Sequence, residues 1–435
     1  MFSKILIANR GEIAVRIIRA CKEMGIATVA VYSEADKYSL HVALSDESYC
    51  IGSAESSESY LNEKAIISAA LISGSQAIHP GYGFLSENAH FAKLCRKNGI
   101  VFIGPDPESM ERLSDKSALK EIMKNAGLDV IPGAKEVTCA NDVKKAAESL
   151  KYPLMLKAKS GGGGRGIRLI NDESDIEEAF FQASNEASGA FGDKSLYLEK
   201  FISPARHIEL QMLSDEFGNV VCLGERDCSI QRRNQKLIEE TPSPGVAQGK
   251  RQKLMNNAIK AIKKIGYKGA GTLEFLMDEN GHFWFMEMNV RLQVEHCVTE
   301  MLTGIDIVKW QIRIASGIPL NFSQDSINLD GAAIECRINA RACGKIKFLH
   351  IPGGPSLRFD SHLMSGITIP PYYDSLLGKL VVFSKTREET LRKLRAALCE
   401  LVIEGIPTNI EEQLQIVESE PFSNGNYDLT FMGSR

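Results

Sequence analysis

The start of the chain alternates between strand and helix patterns, and this alternation constrains the fold more than any other feature. Apolar residues at 4–8 predict a strand, and after a turn at 9–11 apolar residues recur at helical spacing over 12–24. Gly25 ends that helix, and the β-branched segment 28–31 predicts a second strand. A strand, a helix and a strand in this order form a unit whose strands run parallel. The sequence therefore predicts an α/β fold with a parallel sheet.

The same unit continues along the next part of the chain. A helix pattern at 61–73 precedes a predicted strand at 76–79, and a further helix that opens at Ser86 or Asn88 precedes a strand at 100–103. These elements predict a doubly wound domain of roughly a hundred residues.

The first turn argues against a dinucleotide-dependent redox enzyme. A dinucleotide-binding fold carries G-x-G-x-x-G at this turn, where the glycines let the backbone approach the pyrophosphate. Here the turn contains only Gly11. We therefore do not expect NAD as a cofactor.

Length and charge limit the classes of partner. The 435 residues suggest two or three domains at about 150 residues per domain. Fifty-one basic and fifty-five acidic side chains give a formal charge of -4, which supplies no broad positive field for nucleic acid or an anionic bilayer. No run approaches the roughly 18 apolar residues of a membrane helix, and Arg10 and Glu12 interrupt the N-terminal apolar stretch. We expect a cytoplasmic protein that binds neither nucleic acid nor membranes.

A glycine-rich segment from Lys157 to Gly166 is bracketed by predicted strands at 154–156 and 168–170. A strand on each side predicts a hairpin tip, whereas a P-loop joins a strand to a helix. Consecutive glycines suit a mobile segment that closes over phosphates with its backbone N–H groups, and Lys157 would add a positive charge. A plain flexible linker explains the glycines equally well.

The segment 271–295 contains a hairpin whose register follows from its turn. Asn280-Gly281 is typical of a two-residue type I′ turn, so paired residues have numbers that sum to 561. Glu274 then lies opposite Glu287, and Thr272 opposite Asn289. Like charges opposed at about 5 Å are destabilising unless a cation lies between them. Because Mg²⁺ is bound by carboxylates together with phosphate oxygens, the register predicts a magnesium site.

The second strand of this hairpin has a polar face and an apolar face. Its apolar even positions run from Met286 to Val294 and predict a core face. An amphipathic edge strand in water is the alternative, but a face carrying acid, amide and cation in turn is costly unless each group has a partner. We therefore favour a site on the odd positions, which are Glu287, Asn289, Arg291, Gln293 and Glu295.

Together these segments resemble the biotin carboxylase family of ATP-grasp enzymes over nearly the whole chain. The resemblance rests on KILIANRGEIAVRIIRA, HPGYGFLSENA, GGGGRG, ERDCSIQRRNQK, GTLEF, EMNVRLQVEH, ECRIN, PPYYDSLLGKL and IEGIPTN, in family order. It implies an N-terminal doubly wound, Rossmann-like domain at 1–113 and an ATP-grasp domain at 114–326. A mobile glycine-rich lid at about 130–202 belongs to the second domain, and a mixed α/β domain follows at 327–435.

The resemblance also implies a two-step reaction. MgATP phosphorylates bicarbonate to carboxyphosphate, and the carboxyl group then passes to N1′ of biotin on a carrier protein. The implied metal is Mg²⁺ or Mn²⁺. The chain has no Met-Lys-Met attachment site, so biotin is expected on a separate biotin carboxyl carrier protein.

Each matching residue acquires an implied role. On the residues alone, Lys116 fits a surface helix and Tyr82 a turn, so their roles rest on the resemblance only. For ATP the implied residues are Lys116, Lys157, Gly163, Gly164, Glu199, Lys200, Ile202, His207, Gln231, Asn234, Glu274 and Glu287, with Glu274, Glu287 and Asn289 as metal ligands. For bicarbonate they are Lys236, Arg291, Gln293 and Val294, and for biotin Tyr82 and Arg337. The implied catalytic set is Lys236, Arg291, Glu295 as base, and Arg337.

Three positions depart from the family pattern. Asn234 stands where many members have His, and Lys159 stands where a small residue is usual. The loop that follows Ala340 is several residues shorter, close to the implied biotin-binding Arg337.

The resemblance further implies a homodimer that works with carboxyltransferase subunits, most typically in a bacterial-type acetyl-CoA carboxylase. A two-chain pyruvate or other acyl-CoA carboxylase is an alternative. An inactive nucleotide-binding regulatory subunit is another.

Overall fold

In the computed structural model, the described residues are 1–114, 116–158, 166–192 and 194–433. The N-terminal part is the predicted doubly wound unit. Its five strands are all parallel and lie in the order β3-β2-β1-β4-β5, with apolar strand residues such as Ile5 and Leu6 fully buried. The elements are β1 (Lys4–Ile7), α1 (Gly11–Glu23), β2 (Ala27–Ser33), α2 (Leu40–Leu44), β3 (Glu47–Gly52), α3 (Glu63–Ser73), β4 (Ala77–His79), α4 (Ala89–Lys97) and β5 (Val101–Phe102).

A smaller antiparallel sheet follows, in the order β6-β9-β7-β8. Its β7–β8 hairpin confirms the predicted strands on both sides of the glycine segment. The tip itself, residues 159–165, lies outside the described residues. The elements are α5 (Pro107–Ser114), α6 (Lys116–Asn125), β6 (Gly133–Val137), α7 (Ala140–Leu150), β7 (Leu154–Ala158), β8 (Ile167–Ile170), α8 (Ile176–Phe191) and β9 (Leu196–Lys200).

Long antiparallel strands and three helices form the next section. They are β10 (Ala205–Ser214), β11 (Val220–Arg232), β12 (Gln235–Thr241), α9 (Gln248–Ile265), β13 (Gly269–Asp278), β14 (Phe283–Asn289), α10 (His296–Thr303) and α11 (Ile307–Ala315). The α9 helix packs its apolar side, including Leu254 and Ile262, against this sheet. It ends at Gly266, whose positive φ of 69° closes the helix.

The C-terminal section completes the largest sheet. It consists of β15 (Ala332–Asn339), β16 (Gly344–Lys345), β17 (Phe348–His350), β18 (Leu357–Ser361), β19 (Thr368–Ile369), β20 (Leu376–Ser384), α12 (Arg387–Glu400), β21 (Val402–Glu404), α13 (Ile410–Val417) and α14 (Glu420–Ser423). Eight strands join in the order β14-β13-β10-β11-β12-β15-β20-β18. One continuous sheet therefore runs across the predicted division at 326, and the predicted domain boundaries stay predictions.

The turn of the β13–β14 hairpin differs from the prediction. The backbone of Asp278 pairs with that of His282, so the loop between the strands has three residues, and Gly281 in this loop has a left-handed φ of 68°. In the strand residues next to the loop, the numbers of paired residues therefore sum to 560. A bulge then places Met286 opposite no residue, which restores the sum of 561 at Glu274 and Glu287. The predicted opposition of the two carboxylates is present, but the predicted two-residue turn is wrong.

The bulge also changes which side chains face the core. Phe285 and Met288 are buried, while Met286, predicted for the core face, lines a cavity instead. The strand ends at Asn289, so the predicted continuation to Glu295 is wrong, and irregular backbone carries the residues that follow. Within the described part of the chain, no helix combines the length and the apolar character that crossing a bilayer requires.

Candidate active site

A cavity of about 800 Å³ lies where the three parts of the fold meet. The loops after β1 and β4 contribute Arg10 and Tyr82, and the first turn of α1 contributes Glu12, because the carboxyl ends of parallel strands open at one edge of their sheet. The small sheet contributes β7 and β9, and the large sheet contributes its polar face. The predicted residues in the wall are Tyr82, Lys157, Glu199, His207, Gln231, Asn234, Lys236, Glu274, Glu287, Asn289, Arg291, Gln293, Val294, Glu295 and Arg337.

Glu274 and Glu287 face this cavity from paired positions on β13 and β14. Asn289 and Gln293 donate amide hydrogen bonds of 2.7 and 2.9 Å to Oε1 of Glu274. Burial would raise the pKa of Glu274, but Lys236 and His207 more than offset it and hold the pKa below its ordinary value. The carboxylate is therefore ionised and faces the cavity with a defined geometry.

Lys236 lies at the centre of the anionic groups. Its ammonium is 2.5 Å from Glu295, 2.8 Å from Glu209 and 3.6 Å from Glu274. Burial acts to lower its pKa, but the surrounding acidic groups raise the pKa well above its ordinary value. Lys236 thus keeps its proton and supplies a fixed positive charge.

Glu295 and Arg337 form the next layer of the wall. Arg337 Nη2 lies 2.9 Å from Glu295 Oε2, and the same guanidinium contacts Glu239 at 2.5 Å. Burial would raise the pKa of Glu295, but Lys236, Arg337 and Arg226 together hold it well below its ordinary value. A carboxylate base and two cations therefore converge on one point.

On the opposite wall, Glu199 is held by two lysines. Lys157 Nζ is 2.5 Å from its carboxylate, and Lys120 contacts the other oxygen. Glu199 is almost fully buried at 3% exposure, so it fixes the Lys157 ammonium at the cavity edge. A phosphate group entering the cavity would meet this ammonium directly.

Three predicted ATP-binding residues, His207, Gln231 and Asn234, lie at or beside the β11–β12 turn. Gln231 contacts His207 Nδ1 at 3.0 Å, and His207 Nε2 lies 3.2 Å from Glu274. Asn234 is exposed at the turn, where Arg233 and Asn234 both have positive φ, at 49° and 63°. This two-residue turn needs the left-handed conformation at both positions, and Asn adopts that conformation more readily than most residues do.

Arg291 and Tyr82 are held by acids from other elements. Arg291 Nε lies 3.0 Å from the carboxylate of Glu87, and Arg291 Nη2 donates a 3.0 Å hydrogen bond to Asn289 Oδ1. The Tyr82 hydroxyl donates to Glu12, which in turn lies 3.0 Å from Lys379.

Val294 is fixed through its backbone. Its carbonyl accepts a 2.8 Å hydrogen bond from Lys379, an ammonium that is fully buried. The loop that carries Gln293, Val294 and Glu295 is thereby tied to β20.

Several predicted residues lie elsewhere. Lys200 donates to the backbone carbonyls of Lys151 and Tyr152 at 3.0 and 2.9 Å, and neither Lys200 nor Ile202 is part of the described cavity wall. Lys116 begins α6, but its side chain lies outside what the structure describes, as do Lys159, Gly163 and Gly164 altogether. The roles of these residues stay predictions.

Two acids at the site, Glu209 and Glu12, were not predicted from the sequence. Glu209, which contacts Lys236, is fully buried on β10, where His207, Glu209 and Gln211 alternate with apolar residues. That is the same alternation that identified β14, so this signal was available. Glu12 was predicted only as a helical residue, and its contacts with Tyr82 and Lys379 depend on packing between distant segments.

The donor set suits a magnesium ion. Glu274 and Glu287 offer carboxylate oxygens from opposed positions, and the amide of Asn289 lies within hydrogen-bond distance of Glu274. Hard divalent cations prefer such oxygen ligands, and the open cavity leaves room for phosphate oxygens to complete the coordination. These three residues therefore fit the predicted metal.

Family models match nearly the whole chain. Residues 1–110 match the biotin carboxylase N-terminal domain and 335–434 the biotin carboxylase C-terminal domain. Residues 115–323 match the ATP-binding domain of the carbamoyl-phosphate synthase L chain. The fold and the site thus define an ATP-grasp enzyme.

Individual relatives agree over the full length. A biotin carboxylase of a Nostoc species is 52% identical over 99% of this chain and 98% of its own length. The chloroplastic biotin carboxylase of Arabidopsis thaliana is 50% identical over 99% of this chain and 82% of its own. The chain belongs to the biotin carboxylase family.

Solved structures of related proteins share the fold. A Campylobacter jejuni biotin carboxylase in a β,γ-ATP complex has a TM-score of 0.98 at 50% identity, covering 100% of this chain and 99% of its own. The biotin carboxylase domain of Hydrogenobacter thermophilus 2-oxoglutarate carboxylase, a dimer with MgADP and bicarbonate, has a TM-score of 0.96 at 47% identity, covering 100% and 98%. The predicted fold class is confirmed.

Proposed function

We propose that this protein carboxylates biotin on a carrier protein, using ATP and bicarbonate. The convergence of Lys236, Glu295 and Arg337 in one cavity, beside the opposed acids Glu274 and Glu287, is the observation that carries this proposal. An ionised base between two fixed cations suits a small anion that must be bound and deprotonated. The carboxylate and amide oxygens nearby suit the divalent cation that accompanies a nucleoside triphosphate.

Bicarbonate binds against the cations of the wall. Lys236 and Arg291 supply positive charge, and Gln293 and the backbone at Val294 supply hydrogen-bonding groups. The pKa of Glu295 is held well below its ordinary value, so its carboxylate is ionised. The family resemblance assigns this carboxylate as the acceptor of the bicarbonate proton. The deprotonated oxygen then attacks the γ-phosphorus of ATP, ADP leaves, and carboxyphosphate forms.

The triphosphate lies between the two sheets. Lys157 from the small sheet neutralises phosphate charge, together with Lys116, whose role follows from the family resemblance. Glu274, Glu287 and Asn289 would hold Mg²⁺ or Mn²⁺, which would supply charge neutralisation at the phosphate groups. Glu199 holds Lys157 at the cavity edge until the phosphate replaces that contact.

Arg337 acts in the second step. When N1′ of biotin gives its proton to a phosphate oxygen of carboxyphosphate, negative charge develops on the ureido oxygen, and a fixed guanidinium stabilises it. Tyr82 lines the same cavity, and the family resemblance implies that it contacts biotin. N1′ then attacks the carboxyl carbon of carboxyphosphate, and phosphate leaves.

The partners follow from this reaction. A biotin carboxyl carrier protein delivers biotin, and carboxyltransferase subunits use the product, most typically in an acetyl-CoA carboxylase. The relatives include the biotin carboxylase subunit of a pyruvate carboxylase, so a two-chain pyruvate or acyl-CoA carboxylase is the second candidate. We infer a homodimer in the cytoplasm.

The test is ATP hydrolysis by the purified protein with and without bicarbonate and free biotin. Hydrolysis that requires bicarbonate and rises with biotin supports the proposal. Binding of ATP without such turnover would instead identify a regulatory nucleotide-binding subunit. Co-purification of the carboxyltransferase then separates the acetyl-CoA, pyruvate and other acyl-CoA alternatives.

A further inference from the structure

Two buried glutamates lie side by side behind Arg337. Glu239 on β12 and Glu335 on β15 are paired in register, and both are 0% exposed. Directly paired strand residues have Cβ atoms about 4.5–5.5 Å apart, so the two carboxyl groups are close neighbours. Neither glutamate belongs to the predicted site, and neither is part of the described cavity wall.

Hydrogen bonding in this pair is very uneven. Oε1 of Glu239 accepts from Nε of Arg337 at 2.6 Å and lies 2.5 Å from its Nη2. Among the described residues, neither Oε2 of Glu239 nor either oxygen of Glu335 has a hydrogen-bond partner. A buried carboxylate without partners is costly, whereas a carboxylic acid can give its proton to a neighbouring carboxylate.

The charges around the pair favour one negative charge in it. Burial raises the pKa of Glu335 well above its ordinary value, and the neighbouring Glu239 raises it further. Burial also raises the pKa of Glu239, which Arg337 opposes. The pair therefore holds its proton mainly on Glu335 and its charge on Glu239. The titratable groups around it are Cys228 on β11, Lys236 on β12, Glu295 and Cys297 at α10, Cys336 and Arg337 on β15, and Lys379 on β20.

We propose that Glu239 and Glu335 share one proton and together position Arg337 for the transfer to biotin. The single charge on Glu239 orients the guanidinium through its Nε and Nη2 groups. Loss of the shared proton places a second negative charge behind Arg337, which weakens the positive potential that the biotin oxyanion meets. Glu239 is the positioning residue, Glu335 holds the proton that keeps the pair at a single charge, and both roles rest on the proposed function.

The test compares Glu239→Gln, Glu335→Gln and Glu335→Met in biotin-dependent ATP hydrolysis across a pH series. We expect Glu239→Gln to lower kcat about 10- to 100-fold while KM for ATP changes less than about threefold, because Arg337 loses its orienting anion. Both Glu335 variants should keep kcat near neutral pH and lose the alkaline decrease of the wild type, because neither side chain ionises. Glu335→Met covers the case in which the Gln variant does not fold, since removing a buried acid without partners is well tolerated.

Glu240→Gln is the matched control. Glu240 is the next residue on β12 and is equally buried, but it binds Arg387 at 2.6 and 3.0 Å away from the cavity. This variant should lose stability yet keep the wild-type pH profile. A wild-type enzyme without biotin-dependent activity would overturn the proposed function itself. An active wild type whose alkaline profile is unchanged in both Glu335 variants, or whose kcat is unchanged in Glu239→Gln, would overturn the pairing role.

Discussion

The protein contains two buried networks of charged residues that differ in what surrounds them. The cavity network consists of Lys236, Glu239, Glu295 and Arg337. The interior network consists of Arg16, Glu300, Arg358 and Asp360, and it joins α1, α10 and β18. Both contain two cations and two acids, so composition alone does not distinguish them.

The difference lies in how completely the acids are neutralised. In the interior network Glu300 lies 3.0 Å from Arg16 and 2.7 Å from Arg358, and these contacts overcome burial and lower its pKa to about 2. In the cavity network one acid, Glu239, has a raised pKa, and three of the four residues line an open cavity. A buried network of charges thus stabilises the fold when its charges are paired with one another. It can take part in chemistry when its charges face a cavity that a substrate can enter.

The largest effect is expected from breaking the interior network. Glu300→Leu leaves two buried arginines with fewer partners and should reduce the free energy of unfolding by about 3–5 kcal/mol. Urea unfolding measures this loss. Glu388→Leu, which removes an exposed ion pair with Arg392, should cost less than about 1 kcal/mol. Equal losses in both variants would contradict the distinction between the networks.

The same variant tests the pH dependence of stability. The pKa of Glu300 is lowered from 4.5 to about 2 in the folded protein, so its stabilisation is complete above pH 4.5 and disappears as the pH falls toward 2. Wild-type stability should therefore fall more steeply over this range than that of Glu300→Leu. Parallel curves would show that Glu300 does not contribute through its charge.

A substitution in the cavity network should change the catalytic activity. Arg337→Ala should lower kcat by on the order of 10² to 10³, because a donor to the developing oxyanion is lost, while KM for ATP changes little. Steady-state kinetics with free biotin measure both. Arg341→Ala is the control: Arg341 is an exposed residue of the shortened loop whose side chain pairs with Glu412, and this variant should retain full activity. Wild-type turnover in Arg337→Ala would refute the assignment.

A smaller effect is expected at the metal ligands. Glu287→Gln should raise the magnesium concentration needed for half-maximal activity by about 10- to 100-fold, which is the cost of losing even an outer partner of a metal site. Magnesium titration of ATP hydrolysis measures it. Glu279→Gln changes an exposed acid at the tip of the same hairpin and should leave the titration unchanged. An unchanged requirement in Glu287→Gln would place the metal elsewhere.

The smallest effect is expected at Asn234. Asn234→His introduces the residue that many family members carry, at an exposed turn position where φ is 63°. Since both residues tolerate this conformation better than most, stability should change by less than about 0.5 kcal/mol. KM for ATP should change less than about threefold. A larger change in KM would show that this position sets nucleotide affinity.

Sequence reasoning reached the fold class and the main features of the wall because both depend on local periodicity. The strand and helix alternation of the N-terminal unit is readable residue by residue, and the polar face of β14 is readable as far as Asn289. The bulge at Met286 was not readable, since one extra residue in a strand leaves no mark in the pattern of apolar and polar positions. The opposed pair Glu274 and Glu287 was predicted correctly because the longer turn shifts the register by one residue and the bulge shifts it back.

The remaining parts of the site depend on contacts between distant segments. Glu239 contacts Arg337 because β12 and β15 are neighbours in the sheet, although almost a hundred residues separate them. Glu12 and Lys379 meet across an even longer separation. Such pairings are set by the topology, which periodicity does not specify. The roles of Lys116, Lys200 and Ile202 rest on family resemblance alone and stay predictions.

The continuous eight-stranded sheet has a consequence for how this protein can be divided. Cutting the chain between β14 and β15 would separate β12 from β15 and expose the backbone groups that pair Ile238–Thr241 with Ala333–Cys336. Fragments made at that point should aggregate when expressed apart and recover activity only when produced together. The parts of the chain on either side of this cut thus belong to one cooperatively folded unit.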